Sequence, residues 1–315
     1  MMESKITIGL PVYNGEKTIR ESLQSVVSQT FADFVLIISD NNSTDNTQSI
    51  CEEFVKCDKR IMYFRQNKNM GGLWNLEYLL NSAKTKYFVW LAADDFWAST
   101  FLEKNIHILD TKNDVVASIG KTAITGKYYH QFDYDKNDNI IRKFYKKIRL
   151  YFLSFDYYGT NESNYEDRVR TCFKSFRFAL CIYSIFRTDA LKKSTNYVIG
   201  PWDWTVILRI LEYGNLYVID EVLSYRALGG TSNTNSINVY LHKDKKFSEL
   251  LFPKIPFTKW CITVLGKKFF LKNIFFFIRL NYSGLIIIIL DLIKYFRSCN
   301  SKKPYYFESS DYNAK

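Results

Sequence analysis

Two aspartates, Asp94 and Asp95, stand side by side where the apolar run YFVWLAA ends. Adjacent carboxylates repel, and the pair becomes favourable where a cation sits against both. Oxygen donors suit Mg²⁺ or Mn²⁺, and Mg²⁺ is commonly held by one or two carboxylates plus substrate phosphates. The competing reading is that the two aspartates cap a following helix. A third carboxylate, Asp203 in PWDW, lies just inside a helix start marked by proline, where the helix dipole favours negative charge in any case. Its neighbours Trp202 and Trp204 read either as an apolar wall for a ligand or as core. Arg226 in YRALGGTS carries a planar fork that can pair with phosphate oxygens; a surface ion pair is the plain alternative. The Gly-Gly-Thr-Ser that follows reads as a loop able to close over a ligand, or as a connector.

The elements that must position these groups are legible in the first hundred residues. KITIGL (5–10) is a β-rich run that stops at Pro11, after which Asn14 can cap a helix with Ile19, Leu23, Val26 and Val27 on one face. FVLIIS (34–39), IMYF (61–64) and YFVWLAA (87–93) are further strands, separated by helical patterns with Ile50, Cys51, Phe54 and Val55 in one and LWNLEYLLNSA in the next. A helix should follow near Ser99. Short continuous apolar strands alternating with helices indicate an α/β fold with a mostly parallel central sheet covered on both faces. In such sheets ligands sit at the carboxyl ends of the strands, and PVYNG, SDNNSTD and the aspartate pair all fall there. Beyond the aromatic, lysine-rich stretch 127–178, expected to cover the pocket with loops and helices, the pattern returns with LCIYSIF (180–186) as a strand, TDALKK as a short helix, GPWDWTVILRILEYG as a helix stopped by Gly214, and LYVID as a strand.

Charge is unevenly spread over the 315 residues. Of the net +11, residues 1–242 hold 29 Lys and Arg against 27 Asp and Glu, while residues 243–303 hold 13 against 3. The tail is also apolar, but its longest uncharged stretch, Leu280 to Leu290, is too short to span a bilayer. Helices lying in the interface of an anionic membrane fit it better than spanning ones. Its isoleucine and phenylalanine runs suit lipid rather than a solvated phosphate groove, which argues against nucleic acid. Six cysteines without a C-x-x-C pair and only three histidines argue against zinc and point to free thiols in a reducing compartment. The opening MMESKITIGLPVYNG has no basic patch ahead of a long apolar run, so no secretory leader is expected. The GKT at 120–122 fails as a phosphate loop because Val115 stands where glycine is needed.

The ordered set IGLPVYNGEKTIRESLQSVVSQTFADFVLIISDNNSTDNT, NMGGLWN, YFVWLAADD, CIYSIFRTDAL, GPWDWTVILRILEYGNL and YRALGGTS, over residues 5–232, resembles the family 2 glycosyltransferases of bacterial surface-polysaccharide biosynthesis. The resemblance implies the Rossmann-like A-type nucleotide-sugar fold. It implies that Pro11 and Tyr13 meet the nucleobase, and that Asp40 and Asn41 stand where the family often has two acidic residues reading base and ribose. The amide at Asn41 can still accept an imide N–H and donate to a base carbonyl. Asp95 matches the metal ligand of the family's D-x-D motif, whose first position is Ala93 here, and Asp94 the contact to ribose or to a metal-bound water. Asp203 matches the catalytic base. Arg226 matches a diphosphate contact, with Leu228 in place of the usual histidine.

The expectation is an inverting, Mg²⁺- or Mn²⁺-dependent glycosyltransferase on the cytoplasmic side of the inner membrane. It would move a sugar from a UDP or dTDP donor to a glycan or lipid-linked glycan. Residues 1–126 would bind the nucleotide sugar, 127–242 the acceptor and carry the base, and 243–315 would form a basic, apolar helical tail held peripherally on an anionic membrane. Two alternatives compete with it. One is a sugar nucleotidyltransferase, weakened by the single glycine of PVYNGEKT. The other is a non-catalytic protein binding nucleic acid or membrane.

Overall fold

The computed structural model describes residues 4–125, 143, 157–175, 178–195, 202–227, 254–282, 285 and 289. The chain divides into two compact units. One comprises 1–126, 155–198 and 202–227, and the other 127–154, 199–201 and 228–315.

The first unit is built on eight described strands: β1 (Ile6–Val12), β2 (Phe34–Asp40), β3 (Ile61–Arg65), β4 (Tyr87–Trp90), β5 (Asp95–Trp97), β6 (Val115–Thr125), β7 (Ile185–Arg187) and β8 (Asn215–Ala227). They form one sheet in the order β3-β2-β1-β4-β7-β6-β8-β5. The pairings β1–β2, β1–β4, β2–β3 and β6–β8 are parallel, and β4–β7, β6–β7 and β5–β8 antiparallel. Parallel pairing thus dominates the N-terminal half that the sequence pattern reads most clearly.

Helices α1 (Ile19–Val27), α2 (Thr47–Cys57), α3 (Gly72–Ser82) and α4 (Phe101–Thr111) connect the early strands. Strand β4 shows how both faces of the sheet are covered. Tyr87 and Val89, with Leu91 just beyond, join the core cluster of α1 and α4, where Ile19, Leu23, Val26, Phe101 and Leu102 are fully enclosed. Phe88 and Trp90 point to the opposite face, where the Trp90 indole N–H donates to the Leu76 carbonyl of α3 at 3.1 Å. A side chain at Gly9 of β1 would put its Cβ 2.9 Å from the Phe88 ring and 3.1 Å from Leu79, so glycine is what lets α3 lie this close.

The later helices of the unit are α5 (Tyr165–Cys172), α6 (Thr188–Thr195) and α7 (Trp202–Ile210). The strand expected over 180–186 is mostly a 3₁₀ helix, Phe178–Tyr183, and only Ile185–Arg187 joins the sheet. An unbroken apolar run carries no period, and here it is buried as a turn of helix packed on α7.

Two other readings change. Asn14 does not cap α1, which starts at Ile19 behind Thr18; Asn14 sits in the left-handed region (φ 53°) and its Oδ1 accepts the Thr44 N–H at 2.8 Å. The aspartate pair does not cap α4 either, since that helix begins at Phe101 behind Thr100, with Asp95 already in β5.

In the second unit, α8 (Ile255–Lys272) is broken at Gly266, whose φ of 84° lies outside helical geometry, and after a turn at Asn273 a further helical run covers 274–282. Phe257, Trp260, Cys261, Phe269, Phe277 and Leu280 are buried, and the Asn281 amide donates to Thr258 Oγ1 at 2.9 Å. Among the described residues no helix is long and apolar enough to cross a membrane. The expected closing loop at 228–232 and most of the stretch 127–156 lie outside the described residues.

Candidate active site

The carboxylate pair owes its place to an abrupt change of direction. Strand β4 ends at Trp90, Leu91 N–H still bonds to the Gly9 carbonyl of β1 at 3.0 Å, and a turn closed by Asp95 N–H on the Ala92 carbonyl (3.1 Å) swings the chain into β5. β5 pairs antiparallel with β8 at the far edge of the sheet, with Asp95 opposite Arg226, Phe96 opposite Tyr225 and Trp97 opposite Ser224. The Phe96 and Tyr225 rings stack at 4.9 Å between centroids, and Trp97 stacks on Phe101 of α4 at 4.3 Å. Cross-strand aromatic pairs of this kind fix register, and the register here sets Asp95 directly opposite Arg226.

Arg226 is the centre of the cluster. Its guanidinium lies over the Tyr183 ring, 5.3 Å from the centroid. Burial works against its charge, but Tyr183, Asp95, Asp94 and Asp203 together outweigh this and raise its pKa above the ordinary arginine value. Burial likewise pushes the Asp94 carboxyl above its usual range, with the Arg226 charge opposing. The Tyr183 hydroxyl is raised by burial, opposed by Arg226 and reinforced by the three carboxylates. Asp203 comes from elsewhere in the chain, in the first turn of α7, where its Oδ1 also accepts the Trp204 N–H at 2.9 Å. An adjacent pair of carboxylates and a third from more than a hundred residues away therefore act on the charge of one guanidinium.

A recess of ≈ 20 Å³ lies between Trp90, Asp95, Thr122, Tyr183 and Arg226. This is room for about one water and far below the roughly 300 Å³ or more that a nucleotide-sized ligand fills. Trp202 packs edge-on against Trp90 at 5.2 Å, beside Asp203, whereas Trp204 is buried against Phe178 at 4.8 Å and belongs to the core.

The two loops expected to read the nucleotide are tied to each other. Asn14 N–H donates to Ser43 Oγ and Gly15 N–H to Thr47 Oγ1, each at 2.8 Å, and Asp45 accepts from the backbone of both Glu16 and Thr47. Asn42 also takes a left-handed conformation (φ 67°), one that asparagine tolerates better than most residues. Asp40 is fully buried; its carboxylate accepts the Ser43 N–H at 2.7 Å and the Tyr63 hydroxyl at 2.6 Å. Asn41 is buried too. Its amide donates to Asn69 Oδ1 and its carbonyl accepts the Met70 N–H, both at 2.8 Å, so it holds the start of the NMGG segment. Pro11 is partly covered within β1, while the Tyr13 ring is 47% exposed and free to meet a flat ligand.

The donor set fits a divalent cation of a particular kind. Among the described residues no group of three or more His, Cys, Asp or Glu side chains forms a metal cage. Two adjacent oxygen donors, one of them desolvated, suit an ion whose remaining positions come from substrate phosphates and water. Tyr183, unlike the carboxylates, carried no signal in the sequence, because it sits inside the apolar run LCIYSIF.

Residues 7–194 match the family described as Glycosyl transferase family 2. The chain belongs to that family. Among the relatives of this family 2 chain, a Campylobacter jejuni protein named GalNAc(5)-diNAcBac-PP-undecaprenol beta-1,3-glucosyltransferase is 28% identical over 214 residues, 59% of this chain and 67% of that one. The chain spans about half or less of the length of the first curated relatives it matches. In fold it is similar to S. aureus TarS 1–349 in complex with UDP-GlcNAc (TM-score 0.55, 16% identity, 98% of this chain and 95% of that one). It is also similar to the mannosyltransferase PcManGT of Pyrobaculum calidifontis in complex with GDP-Man and Mn²⁺ (TM-score 0.56, 14% identity, 96% and 76%). At these identities the likeness shows the A-type fold that the sequence motifs implied.

Proposed function

We propose that the protein is an inverting, metal-assisted glycosyltransferase that moves a sugar from a UDP or dTDP donor to a hydroxyl of a glycan or lipid-linked glycan. The observation that carries the reading is the β5–β8 register that sets Asp95, with Asp94 beside it, opposite Arg226, while Asp203 in the first turn of α7 lies near enough for its charge to act on the same guanidinium. In the reaction the acceptor oxygen attacks the anomeric carbon, the bond from that carbon to the diphosphate oxygen breaks, and the hydroxyl proton must be taken up. Asp203 is the group for that proton, a carboxylate at a helix start beside the cluster yet separate from the aspartate pair. Arg226, fixed by Tyr183 and by its place opposite Asp95, offers N–H donors to the charge that develops on the departing diphosphate.

Asp95, with Asp94 beside it, would hold Mg²⁺ or Mn²⁺, which when bound stabilises the negative charge of the leaving diphosphate. Asp94 is the more accessible of the two carboxylates and is the one set to reach ribose or a metal-bound water. On the base side Tyr13 supplies a ring face and Pro11 an apolar edge. Asp40 and Asn41 contribute any remaining acceptor capacity while holding the surrounding loops. A lipid-linked acceptor is supported by relatives whose names specify diphosphoundecaprenol-linked substrates.

A thermal-shift panel of UDP, dTDP and GDP, each with and without Mn²⁺, tests the proposal. Stabilisation by a pyrimidine diphosphate, enlarged by Mn²⁺, is expected. No shift with any nucleoside diphosphate, or release of pyrophosphate from a nucleoside triphosphate, would overturn it.

A further inference from the structure

We propose that the outer face of the 274–282 helix, together with Leu271 just before it, is a docking surface for an anionic lipid bilayer. Four large apolar side chains stand out into solvent here: Phe275 is 83% exposed, Leu271 63%, Tyr282 61% and Ile278 57%. In the described part of the first unit no large hydrophobic residue exceeds the 48% of Leu73. Phe275, Ile278 and Tyr282 follow one another at i, i+3 and i+7, one face of a helix. That helix already has a buried side. Phe277 and Leu280 are enclosed, and Phe277 packs on Phe270 with centroids 5.0 Å apart. Among the described residues the exposed face is a second apolar surface, separate from the buried one.

Charge identifies what covers it. From 254 to 282 the chain carries Lys254, Lys259, Lys267, Lys268, Lys272 and Arg279 and no Asp or Glu. Arg279 is exposed on the same face as Phe275 and Ile278, and Lys267, Lys268 and Lys272 are exposed just ahead of it. Apolar side chains that enter the acyl boundary, flanked by cations at headgroup level, are the pattern of an interfacial helix on anionic lipid. Two features favour lying on the bilayer over crossing it. Gly266 and the turn at Asn273 break the segment into short helices, and a cation recurs every few residues. A second copy of the chain is a poor occupant, because an isologous contact would press the same cations against themselves. A nucleic acid is poorer still, since its phosphates have no use for exposed phenylalanine and isoleucine.

The test uses the full chain and no sugar substrate, so it is independent of the donor chemistry proposed above. In vesicle flotation, strong binding is expected to vesicles of phosphatidylcholine with roughly one third phosphatidylglycerol, and weak binding to phosphatidylcholine alone. Phe275→Glu/Ile278→Glu, both at exposed positions, should lower the apparent affinity roughly tenfold or more with an unchanged melting temperature. Lys267→Glu/Lys268→Glu should remove the preference for phosphatidylglycerol. Hydrogen exchange over 271–282 should slow on the vesicles. Failure of the wild-type chain to bind anionic vesicles would overturn the proposal, as would equal flotation of wild type and Phe275→Glu/Ile278→Glu. A concentration-dependent dimer that this variant splits, without any vesicle binding, would assign the face to a second copy instead.

Discussion

The guanidinium of Arg226 rests on the ring of Tyr183, 5.3 Å from its centroid, with Asp95 opposite it across the β5–β8 pair. A cation over an aromatic face is held by about 0.5–2 kcal/mol, more where water is excluded. Tyr183 thus acts as a positioning residue. Tyr183→Phe keeps the ring and should leave donor kcat/KM within about threefold, whereas Tyr183→Leu should lower it by roughly tenfold. Arg226→Lys keeps the charge but loses the planar fork, and a loss of about 10²–10³ in kcat is expected. Steady-state kinetics on the purified variants separates these outcomes. Equal activity of the phenylalanine and leucine forms would show that the ring does not support Arg226.

Asp95 and Asp203 both face Arg226, but they are assigned different work. Asp203→Asn should lower kcat by about 10²–10⁴ while leaving Mn²⁺-dependent nucleotide binding intact. Asp95→Ala should abolish transfer and also the gain in nucleotide affinity that Mn²⁺ confers. Calorimetric titration of the nucleotide with and without Mn²⁺, beside a transfer assay, reads both. Full transfer by Asp203→Asn would remove the base assignment.

Asn41 spends both ends of its amide on the 69–70 segment, and Asn69 Oδ1 in turn accepts the Gly71 N–H at 2.9 Å. In Asn41→Asp the new carboxylate can still accept from Met70, but it faces the oxygen of Asn69. The Asn69 amide must then turn over and release Gly71. Asn41→Ala loses both hydrogen bonds, and because Asn69 and Met70 lie at exposed positions water replaces them in part, at a cost of about 0.5–1.5 kcal/mol. Both variants should show faster hydrogen exchange across residues 69–72, the aspartate with the smaller loss of melting temperature. Unchanged exchange in both would mean that the segment is held by other contacts.

Asp110 at the end of α4 ties down the starts of two strands. Lys5 Nζ lies 2.7 Å and Lys86 Nζ 3.1 Å from its carboxylate, and the Tyr87 hydroxyl donates to it at 2.8 Å. Burial works against the carboxylate, but the hydrogen bonds from Lys5, Tyr87 and Lys86 outweigh it and hold the pKa down from 3.8 to about 2. A depressed folded-state pKa stabilises the fold above the unfolded value, and that stability is lost as pH falls through the folded one. With screening at a side chain 30% exposed, Asp110→Asn should cost about 1–2 kcal/mol near neutral pH. The difference from wild type should shrink steadily between about pH 4 and pH 2. Denaturant unfolding across that range checks it, and a pH-independent difference would refute the ionic origin.

The early strands and helices were readable because their apolar residues are continuous where both sheet faces are covered and periodic where a helix has one buried side. β5 was not readable. It has three residues, begins on an aspartate, a residue depleted in strands, and is a strand only because β8 lies alongside it. β6, in VVASIGKTAIT, lies hidden between a helix and an aromatic stretch with no period. For the site, the residue types at Asp94, Asp95, Asp203 and Arg226 were visible, but their meeting was not, since Arg226 is brought to Asp95 by the register of a pair separated by more than a hundred residues. The ring beneath the guanidinium was hidden in an apolar segment that reads as core.

The interlocked loops after β1 and β2 bear on how relatives of this chain should be sorted. Much of SDNNSTDNT serves as joinery: Ser43, Asp45 and Thr47 bind the neighbouring loop, and Asp40 anchors Ser43 and Tyr63. A descendant that had stopped transferring sugar would still need those side chains to stand up. The stretch that looks most diagnostic by eye would therefore survive in a pseudoenzyme, and on the roles proposed for them Asp203 and Arg226 are where such a loss would first be written.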